Sequence, residues 1–193
     1  MHPLLTSLRG KKAAVIAKVF GERLSLAAQR PSRFVKQAWQ AYTHSGLGSN
    51  SLNGAIFEYL IAFCLYERHI RPFYQQARLG LVPNVAYDLV LYTKAAYPIT
   101  LSLKTSLRER YKQADLEGWA LKNVHRKAKN YLLTLSNEVV GVQQKIAEGA
   151  IAGLDAAILV TSEAFDTLLE ELQATALQQA QQIPLIEAGH LVA

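Results

Sequence analysis

Two segments with the composition of buried β-strands each contain an ionisable side chain. Asp88 lies within VAYDLVLYT (85–93), and Lys104 lies near the end of PITLSLKTS (98–106). Because successive side chains of a strand point to opposite faces, both residues emerge at positions expected to be core. Burying either charge alone costs several kcal/mol, so each requires a counter-ion or a metal. Asp88 and Lys104 are therefore either a structural ion pair or part of a chemical site.

Two further carboxylates are candidates for the same site. Glu58 is the sole acidic residue of the helical stretch GAIFEYLIAFCLY (54–66), where it is either functional or a surface residue. Glu117 shares a helix face with Gln113 after the second strand. Carboxylates beside a lysine offer hard oxygen ligands for Mg²⁺ and an ammonium that orients or deprotonates a water. This chemistry suits phosphodiester hydrolysis, in which the metal neutralises the phosphate and the lysine stabilises developing charge.

The elements that must position these residues follow from local patterns. The short connector KAAY (94–97) between the two strands predicts an antiparallel hairpin. The S-x-x-E spacing of Ser106 and Glu109 is typical of a capping box and predicts a helix from Ser106 to about Lys129, which Gly118 is able to interrupt. Glu117 would then face back toward the strand ends.

The rest of the chain predicts an α/β protein in which a mixed β-sheet is flanked by helices. We expect one domain over residues 1–193, with basic helices in residues 1–44 packed on or flanking its core. The Gly-, Ser- and Asn-rich spacer 45–54 predicts a loop. Further helices are predicted over 11–29, 33–43, 53–69, 137–149 and 162–182, and further strands over 70–78, 131–136 and 154–161.

Composition and charge narrow the classes of function. The chain is 50% apolar, which excludes a disordered protein, and it has no uncharged apolar run that could cross a bilayer. With one cysteine, Cys64, no internal disulfide forms, and we expect a cytoplasmic protein with no membrane partner. The formal charge is +6, with +7 in residues 1–44, +5 in 104–129 and −6 in 154–193. The two basic segments are either contacts for a polyanion or solvated helix faces.

The active-site candidates also carry a family resemblance. Asp88 and Ser102-Leu103-Lys104, with fifteen residues between the aspartate and the lysine, resemble the core of the PD-(D/E)XK nuclease superfamily. The segment KTSLRERYKQADLE (104–117) is similar to the active-site and recognition segment of type II restriction endonucleases of the EcoRII/SsoII/NgoMIV group. In that group a small residue replaces the acidic one two positions before the lysine, and the following helix supplies the missing carboxylate. Ser102 and Glu117 match these two positions.

The resemblance implies a restriction-endonuclease-like fold and a role for each site residue. Asp88, Glu117 and Glu58 would be Mg²⁺ ligands, and Lys104 would be the catalytic lysine. In the resembling enzymes an arginine, an acidic residue and a second arginine read C·G pairs, and Arg108, Glu109 and Arg110 are the matching types. Glu109 is also placed to cap its helix, and both arginines are also suited to phosphate contacts. Three further cations are expected to contact DNA: Lys112, Arg126 and Lys127.

The implied function is Mg²⁺-dependent hydrolysis of double-stranded DNA at a short, C·G-containing palindromic or near-palindromic site, as in type II restriction. A two-fold site matches a homodimer, and the role implies a cognate DNA methyltransferase. Tyr87 departs from the proline of the motif. Two alternatives stay open: a DNA-binding module without catalysis, in which Asp88 and Lys104 are only an ion pair, and a repair or mobile-element nuclease of the same fold.

Overall fold

The computed structural model describes residues 10–20, 26, 29–82, 84–180 and 186–192. Three helices precede three strands, after which helices and strands alternate, and none of the described helices is long and apolar enough to cross a membrane. In chain order the described elements are α1 (Lys11–Val19), α2 (Pro31–His44), α3 (Asn50–Glu67), β1 (Phe73–Leu79), β2 (Tyr87–Tyr92), β3 (Pro98–Lys104), α4 (Arg110–Val124), β4 (Lys129–Thr134), α5 (Val139–Ala147), β5 (Ala156–Leu159), α6 (Glu163–Ala174) and β6 (Ile186–Val192).

The strands form one mixed sheet with the order β5-β4-β3-β2-β1-β6. β2 and β3 pair as the predicted antiparallel hairpin, with Leu89 opposite Leu101. β3, β4 and β5 are parallel, and helices α4 and α5 make the two crossovers that parallel neighbours require. β1 is antiparallel to both β2 and β6. The predicted α/β class, a mixed sheet flanked by helices, is confirmed.

Alternate residues of the central strands divide the core into two layers. Leu89, Leu101 and Leu133 pack with apolar residues of α1, α2, α3 and α6 on one face of the sheet. Val90 and Leu132 belong to two smaller clusters on the other face, which α4 and α5 cover. This alternation is the period-two pattern of a sheet buried on both sides, and it places the ends of β2 and β3 between helices.

The described part of the basic N-terminal segment packs on the core. Ile16 of α1 and Val35 of α2 are almost fully buried in the larger layer. Asp166 of α6 fixes the start of α2, because its carboxylate accepts hydrogen bonds from the Ser32 backbone N at 2.8 Å and the Ser32 Oγ at 2.7 Å. The helix predicted over 11–29 ends at Val19, and residues 21–25 and 27–28 of that prediction lie outside the described residues.

Two predicted boundaries are wrong. The predicted loop 45–54 contains the start of α3, because Ser49 caps that helix by accepting a hydrogen bond from the Leu52 backbone N at 3.3 Å. The predicted capping box at Ser106 does not form, and α4 begins four residues later at Arg110 and ends at Val124. Leu107 is buried in the layer beneath α5, and Arg108 has a left-handed φ of 29°, so the chain turns before the helix begins.

The C-terminal region also differs from the sequence-based expectation. The helix predicted over 162–182 ends at Ala174, after which Gln178 N donates to the Tyr92 carbonyl and draws the chain along β2. Residues 186–192 then form β6, a strand that the sequence patterns did not predict. β6 pairs with β1, more than one hundred positions earlier in the chain. Such a pairing leaves little local signal, because its stability comes from a partner far away in sequence.

Candidate active site

Asp88 and Lys104 form an ion pair where the hairpin meets its flanking helices. Lys104 Nζ lies 3.3 Å from Asp88 Oδ2, and the Leu103 backbone N donates to the same oxygen at 2.7 Å. The two residues meet at the same end of the hairpin, because Asp88 is near the start of β2 and Lys104 ends the antiparallel β3. Only 14% of the Lys104 side chain and 21% of the Asp88 side chain are exposed. The predicted pair is therefore present and largely buried.

Glu58 approaches this pair from α3. The Gln76 side-chain amide donates to Glu58 Oε2 at 3.0 Å and to Asp88 Oδ1 at 3.3 Å, and so it bridges the two carboxylates. Burial raises the pKa of Glu58 to about 7, and the Asp88 charge adds to this effect. The Gln76 hydrogen bond and the charges of two lysines, Lys12 and Lys104, oppose the rise in this pKa. The structure therefore places the Glu58 carboxylate close to Asp88, in a partly buried position.

Glu117 approaches from α4 on the other layer of helices. Gln113 Nε2 donates to Glu117 Oε1 at 2.7 Å, and the Tyr87 hydroxyl donates to the Glu117 backbone carbonyl at 3.0 Å. The second bond ties α4 to the strand residue that precedes Asp88. Burial raises the pKa of the Glu117 carboxyl, Lys104 opposes this rise, and Asp88 adds to it. All four predicted site residues are thus in one electrostatic neighbourhood.

The side chains of the site fit a divalent cation in type and charge. Three carboxylates gather around one lysine, and carboxylate oxygens are the ligands that Mg²⁺ prefers. Burial is the main cause of the raised pKa values of Glu58 and Glu117, and the nearby Asp88 charge adds to both. Within the described ranges, no three Asp, Glu, His or Cys side chains are arranged so as to hold a metal ion. The fit is therefore one of chemistry and charge, without a preformed cage.

Gln76 is the site residue that the sequence patterns did not predict. It follows Gln75 in a segment that was expected to be a strand, and an uncharged side chain there gives no signal of chemistry. Its position comes from the register of β1 and β2, in which Gln75 lies opposite Leu89 and Ala77 lies opposite Tyr87. Gln76 is therefore the cross-strand neighbour of Asp88. Only the pairing of the strands could have identified it.

Four of the predicted DNA-contacting residues lie at the same end of the sheet as Lys104. Arg108, Glu109, Arg110 and Lys112 are exposed in the turn after β3 and the first turn of α4. Glu109 makes no side-chain capping bond and instead forms an ion pair with Lys112. The Arg108 backbone N donates to Glu138 Oε2 at 3.2 Å, which holds the turn against the next helix. The capping alternative for Glu109 is wrong, and its exposed carboxylate pairs with Lys112 instead.

The other two predicted contacts, Arg126 and Lys127, are exposed in the loop between α4 and β4. Because β3 and β4 are parallel, Ile99 lies opposite Lys129 while Lys104 lies opposite Thr134. The fifteen residues of α4 separate this loop from Arg110 by about 22 Å at 1.5 Å per residue. The structure therefore divides the predicted DNA contacts into two groups at opposite ends of α4.

Comparison with known proteins gives a fold and no family assignment. No protein-family model matches the sequence, and no curated protein matches it significantly. A solved structure of the restriction endonuclease PspGI in complex with substrate DNA is similar to this one, with a TM-score of 0.50 and 16% sequence identity. The similarity covers 86% of this chain and 83% of the PspGI chain. At this identity the likeness shows a restriction-endonuclease-like fold, in agreement with the sheet and helices described above.

Proposed function

We propose that this chain is a Mg²⁺-dependent type II restriction endonuclease, built as a single PD-(D/E)XK nuclease domain, that hydrolyses phosphodiester bonds in double-stranded DNA. The observation that carries the proposal is the meeting of Asp88 and Lys104 at one end of the hairpin, with Glu58 and Glu117 approaching from helices on the two layers. A structural ion pair needs no further carboxylates, whereas a site for phosphate chemistry needs an excess of them. The restriction-endonuclease-like fold supports the same class of enzyme.

In this proposal the three carboxylates, Asp88, Glu117 and Glu58, would hold Mg²⁺. When bound, the ion would neutralise the scissile phosphate and lower the pKa of an attacking water. Asp88 Oδ2 is oriented by the Leu103 backbone N–H and by Lys104, so its other oxygen is directed toward Gln76 and Glu58. Lys104 supplies a positive charge that stabilises the negative charge developing on the phosphate. Burial of the pair strengthens this interaction, because less water screens it.

Recognition is assigned to the turn that follows β3. Arg108 and Arg110 would each present a guanidinium fork to guanine O6 and N7, and Glu109 would accept from the cytosine N4 amino group. Each such contact contributes roughly 1 to 3 kcal/mol of discrimination, which gives a short C·G-containing site. Lys112 and the distant cations Arg126 and Lys127 would contact phosphates and add affinity without sequence preference.

The role implies an assembly and a cellular context. Cutting both strands of a palindromic or near-palindromic site requires two active sites related by a two-fold axis, so we propose a homodimer. Restriction in a cell also requires a cognate DNA methyltransferase that protects the host sites. We place the enzyme in the cytoplasm, where its DNA substrate and Mg²⁺ are both present.

A DNA-binding module without catalysis is the second candidate. One observation that favours it is that Asp88 Oδ2 already accepts hydrogen bonds from both Leu103 N and Lys104 Nζ. The other is that the described residues contain no preformed metal cage. A repair or mobile-element nuclease of the same fold would share the active site. It would differ in leaving cut ends that do not share a sequence.

Incubation of the purified chain with unmethylated plasmid, with and without Mg²⁺, tests the proposal. We expect discrete fragments that require Mg²⁺, with Asp88→Ala and Glu117→Ala abolishing cutting while DNA binding is retained. Lys122→Ala is the matched control, because it breaks a different lysine–aspartate pair, Lys122 Nζ to Asp155 Oδ2 at 3.0 Å. Intact plasmid in every divalent metal, with binding retained, would favour the binding module. Sequencing the cut ends separates site-specific restriction from general nuclease activity.

A further inference from the structure

The Gln76 side chain joins two carboxylates that come from different elements. Its Nε2 donates to Glu58 Oε2 of α3 at 3.0 Å and to Asp88 Oδ1 of β2 at 3.3 Å. An amide NH₂ has two donor hydrogens, so one nitrogen is able to serve both oxygens. Two carboxylates this close repel each other, and a shared donor offsets part of that repulsion. Gln76 therefore connects the Glu58 and Asp88 carboxylates through one shared nitrogen.

The backbone of β1 is distorted at this residue. Gln76 has a left-handed φ of 49°, although it lies inside a strand and is not a glycine. The register between β1 and β6 shifts here, since Gln75 lies opposite His190 while Arg78 lies opposite Ala188. Two residues of β1 thus face the single Gly189, which is the arrangement of a β-bulge. A bulge re-aims a side chain, and here the re-aimed side chain is the one that contacts both carboxylates.

Gly189 makes the bulge possible. Its φ is 153°, and an added Cβ would lie 2.9 Å from the Ala77 Cβ and 3.0 Å from the Gln75 carbonyl oxygen. The close approach of β6 to β1 leaves no room for a side chain at this position. The C-terminal strand therefore supports the distortion that directs Gln76 toward the site.

We propose that Gln76 is a positioning residue that holds Glu58 beside Asp88, the two carboxylates that would share a divalent cation. The inference rests on the proposed function, since it concerns the same carboxylates. Asp88 Oδ2 already accepts two hydrogen bonds, from Leu103 N and Lys104 Nζ, whereas Oδ1 accepts one, from Gln76, and keeps a lone pair for the cation. Without the amide, Glu58 is free to rotate away from Asp88, and the cation must then order both side chains itself.

The test is Mg²⁺ binding to the full-length chain, measured by isothermal titration calorimetry. Gln76→Met removes the donors at nearly constant side-chain length, and we expect it to weaken Mg²⁺ binding by about 10- to 100-fold, the loss typical of residues that orient metal ligands. Gln75→Met is the matched control, because it makes the same chemical change one residue earlier, on the opposite face of β1. We expect parental Mg²⁺ affinity in the control, and plasmid cleavage by Gln76→Met to recover as Mg²⁺ is raised.

A double-mutant cycle with Glu58→Gln separates positioning from a general structural effect. If Gln76 acts through Glu58, the substitution Gln76→Met has little further effect on Mg²⁺ affinity in the Glu58→Gln background. The inference would be overturned if the two substitutions lower Mg²⁺ affinity independently, so that their fold-losses multiply in the double variant. It would also be overturned if Gln76→Met binds Mg²⁺ within twofold of the parent. If Gln76→Met does not fold, Gln76→Asn, which shortens the reach of the amide, enters the same cycle. A parent that neither binds Mg²⁺ nor cuts DNA would instead reject the proposed function.

Discussion

Among the described residues, Lys104 supplies the one positive charge that forms an ion pair with Asp88. Removing its ammonium therefore isolates the role of that charge. Lys104→Met keeps the aliphatic part of the side chain and deletes the ammonium. We expect the plasmid cleavage rate to fall on the order of 10²- to 10³-fold, as when one electrostatic stabiliser of a transition state is lost. Lys94→Met, in the exposed turn of the hairpin, is the control and should cut at the parental rate. Equal rates for both variants would exclude a catalytic lysine.

The raised pKa of Glu58 predicts a specific dependence of the free energy of unfolding on pH. In the unfolded chain this carboxyl titrates near its usual pKa of 4.5, and in the folded protein it titrates at about 7. Between these values the unfolded chain binds fewer protons than the folded one, so this residue lowers the free energy of unfolding as pH rises from about 4.5 to about 7. Below pH 4.5 the carboxyl is protonated in both states, and the cost disappears.

Glu58→Gln should remove this cost. At pH 8, without divalent metal, we expect the variant to be more stable than the parent by about 1 to 3 kcal/mol, and the difference should vanish near pH 4. Urea unfolding at several pH values measures it. Glu170→Gln, an exposed glutamate of α6, provides the control. A stability difference that is the same at every pH would show that the Glu58 carboxyl is not desolvated.

At the scale of elements, α4 owes its position to a glycine. An added Cβ at Gly118 would lie 2.1 Å from Asn130 Nδ2 of β4 and 2.2 Å from the Gly153 carbonyl oxygen. Asn130 Nδ2 itself donates to the Ala114 carbonyl at 3.1 Å, so the Asn130 side chain of β4 packs directly against the backbone of α4. The low helix propensity of glycine suggests an interruption at Gly118, but α4 continues unbroken through this residue. Gly118 allows the close packing that presents Glu117 to the site.

Gly118→Ala should therefore force α4 outward. We expect a loss of about 1 to 3 kcal/mol in the free energy of unfolding, together with reduced cleavage because Glu117 moves with the helix. Gly141→Ala is the contrasting control, since a Cβ there meets nothing within 4 Å and the residue lies inside α5. That change should stabilise the protein by about 0.5 to 1 kcal/mol. Urea midpoints that shift equally in both variants would contradict the packing role of Gly118.

How well each element could be predicted depends on how local its causes are. The β2–β3 hairpin was predictable because alternation and a short connector specify it within twenty residues, and with it came the meeting of Asp88 and Lys104 at one end. The start of α4 was not predictable, because burial of Leu107 outweighed the capping-box spacing of Ser106 and Glu109. β6 and the bulge that aims Gln76 depend on pairing between distant segments. No local pattern carries that information.

At the scale of the whole molecule, the basic residues of segment 104–129 do not form one patch. Arg108 and Arg110 lie at the same end of the sheet as the candidate active site, while Arg126 and Lys127 lie at the far end of α4, about 22 Å away. That distance equals about six base pairs of duplex at 3.4 Å per step. One DNA molecule is thus able to contact both groups only if it extends at least that far from the scissile phosphate along α4.

The effect of Arg126→Ala/Lys127→Ala should therefore depend on duplex length. On a 20-base-pair duplex centred on the site, we expect the variant to bind more weakly than the parent, with unchanged sequence preference. The slope of log affinity against log salt concentration should fall by the equivalent of up to about two phosphate contacts. With a duplex that ends within about four base pairs of the cut, parent and variant should bind alike, since the far end of α4 has no DNA to contact. Arg108→Ala/Arg110→Ala should instead relax sequence preference on both duplexes. Fluorescence anisotropy across a salt series measures these affinities, and an equal loss on both duplexes would mean that the DNA does not lie along α4.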